Sequence, residues 1–174
     1  MSRKTTAAGP PPGPMLFRSD ELQLRHTAET RLREAARVSP VAARTLRQAR
    51  QDEDHRTMEQ LRSWGAELAD RFGLRFASIE AEDDGVNEHY GVCYADGVIR
   101  VRLRHATTGR LLKQSSLVDT LCHELAHLRH FDHSARFKRL YLQILGDARR
   151  AGYYRPAAQA ARPRQCSLWE VPAT

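Results

Sequence analysis

The chain has 174 residues, 41% of them hydrophobic, which is enough for one modest core and not for two. No run approaches the roughly 18 apolar residues needed to span a membrane, and three scattered cysteines, Cys93, Cys122 and Cys166, do not make a disulfide framework. A membrane protein and a secreted disulfide scaffold are thereby disfavoured, and a reducing cytoplasm is the expected compartment. The formal net charge is +7, and the first fifty residues hold ten Lys/Arg against four Asp/Glu. That balance suits either nonspecific association with nucleic acid or acidic surfaces, or a solvated basic helical face without a partner.

Residues 1–17, with Pro10-Pro11-Pro12-Gly13-Pro14 and no apolar core, read as a disordered basic, Pro-rich arm and not as a signal peptide. Residues 18–53 read as a helical N-terminal extension. Within it, Asp20 to about Val38 has helical composition, Ser39-Pro40 is a stop-and-restart signal, and a second polar helix is expected to about Ala49. Residues 54–156 form the expected main domain. Its first helix runs from about Asp54 to Phe72, with Met58, Leu61, Trp64, Ala66, Leu68, Ala69 and Phe72 facing the core and Gly73 ending it.

Three strands are expected next, at Leu74–Glu80, Tyr90–Tyr94 and Val98–Arg104, the last two joined through Asp96-Gly97. In the third, alternation sets Ile99, Val101 and Leu103 on one side and Arg100, Arg102 and Arg104 on the other. The arginine row is either a solvated outer face or a feature favouring acidic or nucleic-acid-associated substrates along a strand edge.

Ser116-Leu117-Val118-Asp119 looks like a capping box, and Leu117, Leu121, Leu125 and Leu128 then recur at helical spacing. This helix carries His123-Glu124-Leu125-Ala126-His127. Residues four apart lie about 40° apart around a helix and about 6 Å along it, so His123 and His127 can aim at one ion. Glu124, about 100° round from His123, lies off that ligand face and near an open coordination position, where it can take a proton from a water. Three protein ligands plus water is the catalytic zinc pattern, as opposed to the closed structural one. Cys122 reads as a small buried hydrophobe, since ligation would need it on a different face.

The third ligand is a choice between His130 and His133. On an unbroken helix His130 would stand about 4.5 Å further along the axis than His127, which suits a tetrahedral ion poorly. A helix that ends near Arg129 or His130 lets the turn through Phe131 and Asp132 bring His133 back, and this is the arrangement favoured here. Ser134 then caps a following helix that buries Phe137, Leu140, Tyr141, Ile144, Leu145 and Ala148. Residues 157–174, with Pro163, Trp169 and Pro172, read as a flexible tail in which Trp169 either packs back or serves as a docking element.

The run from His123 to Leu128, with His133-Ser134 and Phe137, resembles the signature of YgjP-like metallopeptidases and is similar to the related WLM and SprT-like zincins. The resemblance covers roughly residues 86–150. It implies an α+β minimal zincin (gluzincin-like) fold, with a small β-sheet packed on the HExxH helix and a following C-terminal helix. It also implies Zn2+ as cofactor, His123, His127 and His133 as its ligands, and Glu124 as catalytic base in a metalloendopeptidase acting on a protein or peptide. The spacing fits metzincins too, but His130 stands at their glycine position and Met1, Met15 and Met58 all precede the motif, so no methionine turn follows. SprT-like proteins often add a cysteine-rich zinc ribbon, which three scattered cysteines do not support.

The WLM and SprT-like groups include proteases acting on DNA-bound proteins. Two readings therefore stand: a zinc peptidase, in its finer form one acting on DNA-bound proteins, and a nucleic-acid-associated adaptor that keeps a zincin scaffold without turnover. An intact Glu124 favours the first. For the donor that stabilises the oxyanion, Arg136, Tyr141, Tyr153 and Tyr154 lie downstream within reach.

Overall fold

The computed structural model describes residues 19–83 and 88–155; the Pro-rich arm and the tail with Trp169 lie outside them. Helix α1, Ser19–Ala36, and helix α2, Pro40–Phe72, form an antiparallel hairpin. The Ser39-Pro40 signal works as expected: the Ser39 hydroxyl accepts from the Ala42 N–H at 3.4 Å, with Pro40 in the first turn. Gly73 ends α2 at φ 60°, a left-handed conformation that releases its N–H to Asp70 and lets Leu74 close on Ala69.

The expected break between two helices at residues 49–54 is absent, and α2 runs for 33 residues, about 50 Å. The stretch from Gln48 to Asp54 contains no Gly or Pro and is built of good helix formers, with Gln48 bonded to Asp52 one turn on at 2.9 Å. Its polar character reflects a long-range partner, described below, and not a boundary.

The sheet has three strands in the order β1-β3-β2: β1 (Ser78–Ala81) parallel to β3 (Val98–Val101), and β2 (Gly91–Cys93) antiparallel to it. Asp96-Gly97 turns the chain between β2 and β3, with Tyr94 N–H bonded to Val98 O at 2.8 Å. All three strands are shorter than expected. Beyond Arg102 the chain changes partner, because Leu112 N–H bonds to Leu103 O at 2.8 Å and Arg104 bridges to Leu111.

The arginine row is not simply a solvated face, since all three side chains have partners within the fold. Arg104, about nine-tenths buried, binds Glu53 at 2.6 Å and Asp54 at 2.9 Å on α2 and donates to the carbonyls of Arg50 and Gly109. Arg102 lies over the Tyr90 ring at 4.1 Å, and Arg100 sits near Glu80 and Glu82. The row pins the polar half of α2 and the segment before β2 onto the sheet.

Helix α3, Gln114–His127, packs Leu117, Val118, Leu121, Cys122, Leu125 and Ala126 into the core with Ile79, Ile99, Leu61 and Leu68. It starts earlier than the expected Ser116 cap. Lys113 is the capping position without a side-chain bond, and Ser116 sits inside the first turn with its N–H on Lys113 O. The pairing of Leu112 with Leu103 fixes where the chain leaves the sheet, and the helix begins at once. Helix α4, Ala135–Arg150, starts at Ser134 as expected, its hydroxyl accepting from Phe137 N–H, and buries Phe137, Leu140, Ile144, Leu145 and Ala148. No helix among the described residues is long and apolar enough to cross a membrane.

Candidate metal centre

The helical period that buries the leucines of α3 sets His123 and His127 on its adjoining face, and α3 stops at His127. Leu128, Arg129 and His130 make a tight turn back onto Leu125 and Ala126, and the chain then reverses through Phe131 and Asp132. That reversal delivers His133. Its Nε2 lies 3.0 Å from Nε2 of His123, which lies 3.1 Å from Nε2 of His127. All three ligand atoms fall within 4.8 Å of one another, the one such His/Cys/Asp/Glu group among the described residues. His130 is not in it.

Phe137, at the start of α4, forms the floor, its ring centroid 4.4–4.8 Å from all three imidazoles. His127 is held from its other side: Nδ1 donates to the His130 carbonyl at 3.0 Å, which leaves Nε2 as the lone-pair nitrogen. Burial lowers the pKa of His123, and the neighbouring His127 and His133 lower it further against the opposing pull of Asp119. Burial and His133 likewise lower that of His127 against the His130 carbonyl. Neutral imidazoles are what a metal ion requires. Nitrogens shared by one tetrahedral zinc stand about 3.3 Å apart, given zinc–nitrogen bonds of about 2.0–2.1 Å; the two separations from His123 are close to that, and the third lies within 4.8 Å.

Glu124 occupies the neighbouring face of α3 and is 5% exposed. Burial pushes its carboxyl up to about 7, opposed by the charge of His89. It lines a cavity of about 270 Å³ with His89, Tyr90, Gly91, Asp119, Thr120 and His123. Strand β2 crosses so close that a Cβ on Gly91 would lie 2.6 Å from Thr120 Cγ2 and 3.0 Å from the Glu124 side chain. A larger cavity, about 760 Å³, opens between α2 and residues 102–109 and contains none of these histidines.

Of the four donor candidates, Tyr141 comes nearest the histidines, its ring 5.7 Å from His123, but its hydroxyl donates to Asp119 at 2.6 Å. Tyr153 stacks on Trp64 and bonds to Glu67, Tyr154 lies under Arg149, and Arg136 is exposed at the start of α4. Cys122 is fully buried, its thiol pushed up to about 12 by burial. Sequence reasoning missed His89 and Glu82, which meet across the segment between β1 and β2 at 3.0 Å. The signal available was weak: a histidine two residues before an edge strand, with its acid partner seven residues earlier.

A small sheet packed on a helix that offers paired histidines and a glutamate, with a third histidine from the following turn, is a zincin-like α+β fold. Residues 85–161 match the family model of the WLM domain. A crystal structure of a Wss1 mutant from Saccharomyces cerevisiae is similar at a TM-score of 0.52 and 18% identity, covering 59% of this chain and 86% of that one. One of a Wss1 mutant from S. pombe is 24% identical at a TM-score of 0.49, over 56% of this chain and 87% of that one. No curated protein matches the chain by sequence. The resemblance read from the motif thus holds for the WLM domain and for the fold.

Proposed function

We propose that this protein is a zinc-dependent metalloendopeptidase of the WLM kind, with residues 54–156 as the peptidase domain and 18–53 as a helical extension continuous with it through the unbroken α2. The observation that carries the reading is the convergence of three Nε2 atoms beside a buried carboxylate that shares a cavity with one of them, His123. His123, His127 and His133 would hold the ion. When bound, zinc supplies Lewis acidity, lowering the pKa of a coordinated water from about 15.7 towards 7 and polarising a carbonyl.

Glu124 takes the proton from the attacking water as its oxygen adds to the scissile carbonyl carbon, then delivers it to the amide nitrogen as the C–N bond breaks. Its position in a buried, low-dielectric wall suits this shuttle, because burial brings the carboxyl close to neutral pH, where proton uptake and release cost least. Phe137 and the His130 carbonyl keep the imidazoles in place throughout. The adaptor reading gives Glu124 nothing to do.

For the substrate, the WLM match and the ten Lys/Arg of residues 1–50 support a protease acting on DNA-bound proteins, with nonspecific nucleic-acid association. Free Cys93 and Cys122 fit a reducing cytoplasm. Purified protein should contain one zinc per chain and cleave casein, or a DNA-binding protein faster when DNA is added. Absence of zinc, or zinc without cleavage under any of these conditions, would contradict the reading and favour the adaptor.

A further inference from the structure

The proposed peptidase needs a donor on the developing oxyanion, and the downstream tyrosines either spend their hydroxyls on carboxylates or lie under other side chains. The cavity beside Glu124 has two further rings on its wall, Tyr90, which lies under the Arg102 guanidinium, and His89. Its Nε2 lies 3.0 Å from Oε2 of Glu82, a carboxylate whose side chain is 2% exposed. The other oxygen of Glu82 accepts from the Asp83 N–H at 3.1 Å and lies 3.7 Å from Arg100 Nη1. A buried acid saturated in this way has one orientation, and so does the ring it holds.

The next residue is anchored as well. The Tyr90 carbonyl accepts from the Arg102 N–H at 2.8 Å and its ring lies under the Arg102 guanidinium, so the sheet fixes the backbone that carries His89. Burial opposes ionisation of Glu82, but the bonds from His89 and Asp83, with nearby Arg100, outweigh it and hold the carboxyl below its ordinary range. With Nε2 committed to that carboxylate, Nδ1 makes no hydrogen bond among the described residues.

Resting on the peptidase reading, we propose that His89 is a further catalytic residue, donating from Nδ1 to the carbonyl oxygen as it becomes an oxyanion, with Glu82 as its positioning residue. In that role Nε2–H is held by Glu82 and Nδ1–H is the donor. Water oxygen bonds to carbon, the carbonyl π pair moves to oxygen and is met by the Nδ1–H, and no proton need be lost from His89. Donor and base thus line one cavity from different elements, His89 just before β2 and Glu124 on α3.

The test compares His89→Ala, His89→Phe and Glu82→Gln with wild type, all at verified zinc content. His89 lies at the surface side of the cavity with its side chain 38% exposed, so its replacement leaves the core intact. Loss of one oxyanion donor lowers kcat roughly 100-fold with KM nearly unchanged; His89→Phe, which keeps a ring without a donor, should match His89→Ala, and Glu82→Gln should lose less. A binding readout separates this from turnover. A phosphinic peptide, which mimics the tetrahedral species, should bind His89→Ala about 100-fold more weakly than wild type, while acetohydroxamate, which engages the metal alone, binds both equally. Equal phosphinic-peptide affinity, or a kcat loss below about threefold, overturns the role of His89 and leaves the peptidase standing. A wild type that takes up no zinc overturns the peptidase, and this assignment with it.

Discussion

Nδ1 of His127 donates to the backbone carbonyl of His130 at 3.0 Å. His130 thus serves the centre through its main chain, which any residue supplies, while His133 reaches it through its ring, Nε2 against that of His123 at 3.0 Å. The turn that makes the first contact is the one that delivers the second.

His130→Ala should therefore keep one zinc per chain. His133→Ala should weaken zinc by more than about 100-fold, beyond what loss of a residue merely supporting a ligand costs. Competition with a chelator of known affinity reads both; retention of zinc by His133→Ala together with its loss from His130→Ala would reverse the assignment.

Gly91 stands where β2 crosses Glu124 without room for a methyl group. Gly91→Ala should push the Glu124 side chain or the strand aside, costing about 1–3 kcal/mol in stability. Cleavage should fall about 10- to 100-fold, as expected of a misplaced catalytic group, with zinc binding retained. Wild-type kcat in this variant would show that the close approach has no role in placing the base.

Arg104 joins Glu53 and Asp54 of α2 to the end of the sheet from a buried position, while its partners stay partly open to water. Arg104→Met should cost about 1–3 kcal/mol, less than a fully buried pair would. Arg104→Lys should recover little, because one ammonium cannot reach both carboxylates and the Gly109 and Arg50 carbonyls in the guanidinium's fork. Denaturant midpoints measure this; full recovery by Lys would mean that charge alone matters.

Asp147 on α4 binds Arg71 of α2 at 2.7 Å and Arg150 at 2.6 Å, and the hydrogen bond from Arg71 above all holds its carboxyl below the ordinary value. A group whose pKa is lower folded than unfolded stabilises the protein above the unfolded value and loses that stabilisation as pH falls through the folded one. Asp147→Asn should cost about 0.5–1 kcal/mol at pH 7, since Arg71 is largely exposed. The difference from wild type should shrink steadily below about pH 4. A gap unchanged at pH 3 would show that the contribution is not ionic.

The centre was legible because its chemistry is local. The spacing of His123, Glu124 and His127 and the leucine stripe behind them are read from one helical period, and the turn to His133 follows from where that helix must stop. What lay hidden depends on distant partners. Gln48–Asp54 looked like a polar break because Arg104, fifty residues on, was not visible beside it. Ser116 looked like a cap because the pairing of Leu112 with Leu103 that starts α3 earlier is a sheet contact. His89 and Glu82 belong to no periodic pattern, and only the fold pairs them and brings His89 into the cavity that Glu124 lines.

The central claim, that Glu124 activates water at a zinc centre, is tested most directly by casein cleavage with wild type and Glu124→Gln at equal zinc content. Gln preserves the buried shape and removes the base. Wild type should cleave and Glu124→Gln should be slower by about 10²–10⁴-fold, the range for loss of a positioned proton-transfer group. Equal rates in the two proteins would contradict the account.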